Sequence, residues 1–590
     1  MTPVTLFDEV DPRLQASLCA EWTRRQGELV EGLPRDVTVV LAGHRAAGKT
    51  RLLPHVAKLL ARDGVDLDVE LERRHARSLR DWVTQDEPGF RAAEKETFKS
   101  LPPGGVIAVG GGFLSLHPDA LKGCLVVEVP VSFDTYRDRL LADTTRPRLR
   151  PELKPEDELR ELYAERSARH AAARPMGLVD FLLRAARPPR PRRVVTLPPH
   201  AAIETFAWKA RHAGADLLEV RSDLHPPEID LHAAARALPL LVARRSIRLP
   251  PSWQPRATLV DEPLEGAILD GVLHSFHADA PMRTADALAK WGSLGPGARI
   301  KHVEPLGEPK DFPRLLATQQ ALIERFGANH VTVLCTGPLA LPFRAVLAQK
   351  NALDYLALDS EFAAAPGQRL LADAVREARR ARVDGSTQRL GIFGHGIAHS
   401  RSPRIHVQPF DRIDLPEDAP MDALLGALRP HYRGFAVTNP FKKRVVPGAA
   451  VNTLVRAENG WSSGNSDVAG ALAMFDALQV TSLTVLGDGG VTEALRVAAA
   501  KKNVTLTVLK HDELTDQAIS GTVVWTWPAT IDAPRWLQFD DATVIVIAYG
   551  KPARKLVREI RSRGGTARLL GPRWFIAQAR EQRALWEKAS

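Results

Sequence analysis

The loop Gly43-His44-Arg45-Ala46-Ala47-Gly48-Lys49-Thr50 constrains this chain more than any other stretch. It follows the apolar, β-branched run Val37-Thr38-Val39-Val40-Leu41, which reads as a buried strand, and precedes a helical pattern over Leu52 to Leu60. G-x-x-x-x-G-K-[ST] between a strand and a helix is the phosphate-binding loop in its expected setting. Gly43 and Gly48 let backbone N–H groups close around phosphates, and the new helix adds its positive end. Lys49 is placed to reach the β- and γ-phosphates, and Thr50 to ligate Mg²⁺. The loop points to a nucleoside triphosphate and leaves the phosphate acceptor open.

With 590 residues, a soft expectation is about three to five domains. The 80 Lys and Arg exceed the 70 Asp and Glu by only ten. That balance fits a solvated mixed surface serving small anionic molecules better than a nucleic-acid surface. Cys19, Cys124 and Cys335 stand far apart, which excludes a disulfide framework or a CxxC metal knuckle and fits a reducing compartment. Met1 to Pro12 carries no leader pattern, and no run approaches the roughly 20 apolar residues of a membrane span. A cytoplasmic protein is expected, with neither nucleic acid nor membrane as partner; a homodimer remains open.

Residues 1–36 offer a helical pattern over Leu14 to Leu33 and no chemistry, as a docking or capping helix would. After the phosphate loop, Val65-Asp66-Leu67-Asp68-Val69-Glu70 reads as a strand end whose carboxylates face either a ligand or solvent. Phe90-Arg91-Ala92-Ala93-Glu94 follows. The strand Gly105 to Val109 then runs into Gly110-Gly111-Gly112, where backbone can approach a ligand closely. Thr145-Arg146-Pro147-Arg148 and a helix with Arg166 to His170 complete the set. In order and spacing these motifs resemble shikimate kinase, with His170 where that family has Tyr. The resemblance implies that Asp68, Arg91, Gly111, Gly112 and Arg166 hold shikimate, Asp68 also acting as base, and that Arg146 serves ATP.

Arg184 to Pro199 is rich in proline and arginine and reads as an inter-domain connection. Short apolar strands then alternate with helical patterns: Arg193 to Leu197, Leu217 to Arg221, Leu240 to Ala243, Gly266 to Leu273, Arg299 to Val303, His330 to Cys335 and Tyr355 to Leu358. That rhythm predicts a parallel β/α barrel, in which polar residues at strand C-terminal ends are catalytic candidates. Lys301 lies within the apolar Ala298 to Val303. An inward lysine with depressed pKa is a Schiff-base nucleophile, whereas one at a barrel end only snorkels. His277 could move protons. Together the residues resemble type I 3-dehydroquinate dehydratase. Its E-x-R-x-D is Glu219 to Asp223, its S-x-H ends at His277, its lysine is Lys301, and its A-P-G-Q is Ala365 to Gln368. The resemblance adds Glu219, Arg221, Arg245, Arg344 and Gln368 to the substrate site. It also marks departures: Leu249 stands in place of the Glu that orients the histidine, and Phe343 and Ala364 replace serines.

The third part opens with Arg389-Leu390-Gly391-Ile392-Phe393-Gly394 and His399-Ser400-Arg401-Ser402-Pro403. Paired hydroxyls can bind a carboxylate or cap a helix. Gly434 to Lys442, Ala450 to Thr453 and Gly464 to Gly470 follow. Lys442 and Asp467 could exchange a proton during hydride transfer, or stand as surface charges. Leu483 to Leu486 then leads into Gly487-Asp488-Gly489-Gly490, a dinucleotide turn, and Val504 to Leu509 ends in Lys510-His511, a cation that favours the 2′-phosphate of NADP. These stretches, with a late Gly571 to Gln578, resemble shikimate dehydrogenase. The resemblance implies substrate contacts from Ser400, Ser402, Thr438, Asn452 and Gln578, and NADP contacts from Gly487, Gly489, Gly490 and Lys510. Ala436 stands where that family has Asn, the stretch between Lys442 and Asn452 is short, Asp488 puts a negative charge in the phosphate turn, and Val546 to Pro552 lacks the family's Asp.

The expected fold is therefore α/β multidomain. Residues 1–36 form an extension, 37–186 a P-loop kinase domain, and 193–382 a (β/α)₈ barrel. Residues 388–590 form a two-lobed dehydrogenase with a Rossmann-type NADP lobe over 471–572. In that order the parts resemble the C-terminal three of the fungal pentafunctional arom polypeptide. The resemblance implies 3-dehydroquinate, 3-dehydroshikimate and shikimate as substrates, with ATP, Mg²⁺ and NADP. Fungal quinate repressors resemble the same three parts without catalysis and supply the alternative, a regulator. Retention of Lys49, Asp68, His277, Lys301, Lys442 and Asp467 together argues for the enzyme.

Overall fold

The computed structural model describes every residue except 1–2, 29, 144–147, 188, 246–252, 254–256, 266–268, 270, 366, 381–382, 399, 447–450, 511–518, 528–532, 535–536, 540 and 589–590. Four parallel or mixed sheets organise the chain in sequence order. Among the described residues no helix is long and apolar enough to cross a membrane.

The first sheet has five parallel strands, with Val39–Ala42 at its centre between Val106–Ala108 and Leu125–Glu128. All four residues of Val39–Ala42 are buried, as a strand covered on two faces requires. The phosphate loop leaves this strand and enters the helix Lys49–Leu60. Two elements differ from expectation. Strand Gly64–Asp66 stops early, because the Asp66 side chain accepts from the N–H groups of Asp68 and Val69 and caps the helix Leu67–His75. An Asp at that position satisfies backbone donors that an extended chain would leave to a neighbour. The N-terminal helix is also shorter, Pro12–Arg25. Its preceding turn buries Leu6, Phe7 and Val10 in the kinase core, and the Glu9 carbonyl lies so near Gly48 that a Cβ there would sit 2.7 Å away.

Eight parallel strands, from Arg192–Thr196 to Leu353–Leu356, form the second sheet. Leu353–Leu356 pairs back onto Arg192–Thr196, so the sheet is a nearly closed (β/α)₈-type barrel. One of its strands, Leu259–Pro263, was not among the expected ones. The strand expected over Gly266 to Leu273 instead runs Leu273–His277.

The third and fourth sheets are the two lobes of the last part. The first lobe is built on Arg389–Gly394, flanked by Phe410–Asp414 and Tyr432–Val437. The second is a five-stranded, all-parallel sheet around Ser482–Leu486, Rossmann-like. The final helix, Gly571–Lys588, returns to the first lobe, where Trp586 Nε1 donates to the Leu454 carbonyl at 3.0 Å.

The barrel and the first lobe are not strung on a loose tether. Phe312 and Phe343 of the barrel share one apolar core with Leu424, Leu428, Tyr432 and Phe435. Arg389, fully buried, pairs with Asp411 on its own sheet and with Glu377 on the barrel's last helix. On the other side Glu31 pairs with Arg193 at 3.0 Å and ties the N-terminal segment to the barrel.

Candidate functional site

The phosphate loop gathers most of the residues expected around it. Lys49, buried, donates to the carbonyls of Gly43 at 3.1 Å and His44 at 2.6 Å. Thr50 Oγ1 donates to Asp66 Oδ2 at 2.7 Å. The triple glycine lies against the loop: a Cβ on Gly111 would come within 2.6 Å of the Arg45 backbone nitrogen, so only glycine fits. A Cβ on Gly110 would meet Asp68 Oδ1 at 3.2 Å, and one on Gly112 would meet Arg91 at 3.7 Å. Asp68, Arg91 and the glycines thus surround one space beside the loop. Arg91 pairs with buried Glu94 at 3.1 Å, and burial raises the Glu94 carboxyl. Arg166 reaches the same region from the helix Pro155–Ala173. Burial lowers its pKa, Arg91 adds to the effect, and its buried Nη1 has no hydrogen-bond partner among the described residues. An anion would satisfy it. Arg146 lies outside the described residues.

His170, in place of the expected tyrosine, is buried with its ring centroid 4.8 Å from that of His44. His44 in turn stacks on Tyr163 at 4.3 Å. Burial, with His170, Arg166 and Lys49 nearby, pushes His44 down to about 3. It is therefore neutral and leaves the positive charge of the loop to Arg45 and Lys49.

In the barrel a cavity of about 230 Å³ opens at the C-terminal ends of the strands. Its lining includes Glu219, Arg221, Arg245, His277, Lys301, Arg344 and Gln368. Every barrel residue expected at the site is there. Glu219 and Arg221, and likewise Lys301 and Val303, share a face because alternate strand residues do. Lys301 does not snorkel: it is 2% exposed. Its ammonium donates to Asp261 and, at 3.3 Å, to the Tyr355 hydroxyl, with Glu219 at 3.9 Å. Burial lowers the Lys301 pKa; Arg245 adds to this while Asp261 and Glu219 oppose it. Arg245 donates to Asp261 at 2.8 Å and lies 3.5 Å from Glu219. Arg221 pairs with Asp223 at 2.6 Å, and Arg344 donates to the Tyr355 carbonyl at 3.0 Å. Desolvation at the cavity mouth, with Lys301 and Arg245 beneath, pushes His277 down to about 4. Leu249, the residue in the orienting Glu's place, lies outside the described residues.

In the last part Lys442 donates to Asp467 at 2.7 Å, and Trp574 Nε1 lies 3.3 Å from the other Asp467 oxygen. They are a pair, not separate surface charges. Asn452 Oδ1 accepts from Ser466 N at 2.7 Å, while its buried Nδ2 has no partner among the described residues. Ser400 and Ser402 are buried, with hydroxyls 3.4 Å apart. Thr438 packs its methyl toward Gly394. Gln578 is half-buried one turn after Trp574 on the final helix. Across the cleft, Gly487 turns with φ +110° and Gly489 precedes the helix Gly490–Lys502. Asp488 is engaged by Arg496 at 3.1 Å, which offsets its charge in the turn. Lys510 follows the strand Thr505–Leu509; His511 and Asp512 lie outside the described residues.

A family model described as shikimate kinase matches residues 45–177. The shikimate kinase of Oceanobacillus iheyensis is 32% identical over 139 residues, 22% of this chain and 75% of that one. The chain belongs to the shikimate kinase family. It is also 33% identical over 145 residues to the NADP(+) shikimate dehydrogenase of Microcystis aeruginosa, covering 20% of this chain and 50% of that one. It spans about half the length of the shikimate dehydrogenases it matches. Among solved structures, shikimate kinase from Acinetobacter baumannii in complex with shikimate aligns with a TM-score of 0.23 and 26% identity. That alignment covers 28% of this chain and 94% of that one.

For a shikimate kinase family member, the informative residues beyond the expected ones are Asp66, facing Thr50, and Glu94, between Arg91 and His117. In the barrel they are Asp261 and Tyr355. The strand of Asp261 is not evident in the sequence, because Leu259-Val260-Asp261-Glu262-Pro263 has too few apolar residues to show a period. Tyr355 lay at the start of an expected strand and could have been read as inward.

Proposed function

We propose that the chain carries out three consecutive reactions on one carbon skeleton: dehydration of 3-dehydroquinate in the barrel, NADPH-dependent reduction of 3-dehydroshikimate to shikimate in the last part, and phosphorylation of shikimate by ATP in the first. The observation that carries the reading is the cavity at the C-terminal end of the barrel. Six expected residues scattered from Glu219 to Gln368 line it together with the buried Lys301.

In the barrel, Lys301 attacks the substrate carbonyl as the neutral amine, which burial favours. Neutral His277 takes the proton α to the imine and returns it to the departing hydroxyl, and hydrolysis frees the lysine. Arg221, Arg245 and Arg344 suit the substrate carboxylate and hydroxyls. In the last part, Lys442 delivers a proton to the carbonyl oxygen as hydride arrives, and Asp467 orients the ammonium. NADPH, when bound, would supply the hydride; the turn at Gly487 to Gly490 and Lys510 would hold it. In the first part, Asp68 accepts the proton of the attacking hydroxyl, Arg91 and Arg166 hold the shikimate carboxylate, and Lys49 steadies the phosphates of ATP. The Thr50–Asp66 pair fits Mg²⁺, which takes one or two protein oxygens and completes its shell with phosphates and water.

The test is to supply purified protein with each substrate separately. The expected products are 3-dehydroshikimate, shikimate with NADPH oxidised, and shikimate 3-phosphate. Folded protein that forms none of one product loses that assignment.

A further inference from the structure

Two donors reach the buried Asp467 carboxylate among the described residues, each on its own oxygen. Lys442, from the turn after the strand Tyr432–Val437, donates to Oδ2 at 2.7 Å. The Trp574 indole N–H donates to Oδ1 at 3.3 Å. Trp574 stands in the first turn of the final helix, one turn before Gln578, and is itself buried. Its ring belongs to the core of the second lobe, with Met474, Leu483 and Val485. The Lys442–Asp467 pair is thus tied to both lobes.

The indole lies against the backbone of the helix Asp467–Leu478. At Gly470 a Cβ would come 2.7 Å from its Cδ2, Cε2 and Nε1. Gly470 therefore opens the space from which Nε1 reaches back about one turn to Asp467. The contact matters because the last torsion of an aspartate is soft: rotation about Cβ–Cγ is broad and roughly two-fold. One donor leaves the carboxylate plane free to swing with the flexible lysine. A second donor on the other oxygen fixes the plane, and a neutral indole does so without competing for the charge of the ammonium. A buried carboxylate oxygen left without a donor is costly. A phenyl ring, which would fill much of the same core, could not supply one.

We propose that Trp574 is a positioning residue of the reduction: its N–H fixes the Asp467 carboxylate so that the opposite oxygen holds the Lys442 ammonium aimed at the reacting carbonyl. The inference rests on the dehydrogenase reading above and adds a residue which that reading does not use. Trp574 acts through Asp467 and takes no part in proton or hydride transfer.

The experiment uses the full chain. Reduction of 3-dehydroshikimate by NADPH is first measured in the wild type. Trp574→Phe keeps an aromatic ring in the core and removes the donor. Its kcat should fall by on the order of tenfold, as loss of a hydrogen bond to a charged group implies, while KM for 3-dehydroshikimate stays within about twofold. The solvent deuterium isotope effect on kcat should rise, because delivery of the proton becomes limiting. Gly470→Ala, which pushes the indole off Asp467 while favouring the helix, should show the same signature. In an Asp467→Asn background, where no carboxylate remains to be aimed, Trp574→Phe should cost less than about twofold more. Apart from turnover, ¹⁵N-tryptophan labelling gives an indole N–H resonance for each of the 11 tryptophans. The one missing in Trp574→Phe should shift in Asp467→Asn. A folded Trp574→Phe with wild-type kcat would overturn the role. So would an undiminished further loss in the Asp467→Asn background, or an indole resonance indifferent to Asp467→Asn. If circular dichroism shows Trp574→Phe unfolded, Gly470→Ala decides. Wild-type protein that reduces no 3-dehydroshikimate refutes the dehydrogenase reading, and the positioning role falls with it; that failure shows in the first measurement, before any variant is compared.

Discussion

Lys301 is ion-paired with Asp261 across the barrel interior, the side chains being 3% and 0% exposed. The pair sets the resting state of the amine: Asp261 holds the proton on, and burial and Arg245 push it off. Asp261→Asn removes the carboxylate that stabilises the ammonium. Borohydride trapping of 3-dehydroquinate on Lys301, followed by peptide mass, should then reach its plateau at lower pH than in the wild type. Breaking one side of a buried pair costs on the order of 3 kcal/mol, so the variant should also melt earlier. Lys301→Ala should give neither adduct nor turnover. A pH dependence of trapping that is the same in Asp261→Asn would separate Asp261 from the amine's ionisation.

His277, pushed down to about 4, binds a proton in the folded protein only below that pH, whereas an ordinary histidine is protonated below about 6.5. In the proposed dehydration His277 is therefore available as base throughout pH 5 to 8. The acid limb of kcat/KM for dehydration should fall near pH 4. His277→Ala should lower turnover by about 10²–10⁴-fold and still permit the borohydride adduct. An acid limb near 6.5 would contradict the assigned environment.

The barrel also shows what the chain discloses in advance and what it withholds. Lys301 sits in Arg299–Pro305 between Ile300 and Val303, and its match to the strand lysine of type I 3-dehydroquinate dehydratase is what makes it legible. Glu219 and Arg221 lie on the strand Leu217–Arg221, which its apolar residues make evident, whereas the strand that ends at His277 is displaced from the expected Gly266 to Leu273. Asp261 does not stand out, because its strand is two apolar residues followed by two acids and a proline. Only closure of the barrel, which brings it beside a lysine 40 positions away, makes it a site residue. The same holds for Leu6, Phe7 and Val10. They are too few to show a helical period, yet they complete the kinase core. Asp66 was legible as a carboxylate near the phosphate loop, but not as a helix cap, since capping depends on where the chain turns.

In the kinase part, Lys49→Ala should abolish phosphoryl transfer to shikimate and leave the other two reactions at wild-type rates, because those sites are built on other sheets. Asp66→Asn should raise the Mg²⁺ concentration needed for half-maximal rate, through the loss of a negative charge facing Thr50. Arg166→Ala should raise KM for shikimate more than it lowers kcat, as removal of ground-state binding does. Steady-state assays at varied Mg²⁺ and shikimate check all three.

In the last part, Lys442→Ala should lower kcat more than it raises KM, because its proton is needed as charge develops on the reacting oxygen. Asp467→Asn should reproduce much of that loss, since Asp467 holds the ammonium at 2.7 Å. Lys510→Ala should erode the preference for NADPH over NADH. Equal use of the two cofactors in the wild type, unchanged in Lys510→Ala, would contradict the role of that residue.

The most direct measurement gives the full chain 3-dehydroquinate, NADPH, ATP and Mg²⁺ in one vessel and follows the products by mass spectrometry. The expected result is successive 3-dehydroshikimate, shikimate and shikimate 3-phosphate, with one NADPH oxidised per molecule reduced. Folded protein that phosphorylates added shikimate and reduces added 3-dehydroshikimate, yet returns 3-dehydroquinate unchanged, would contradict the account at the barrel.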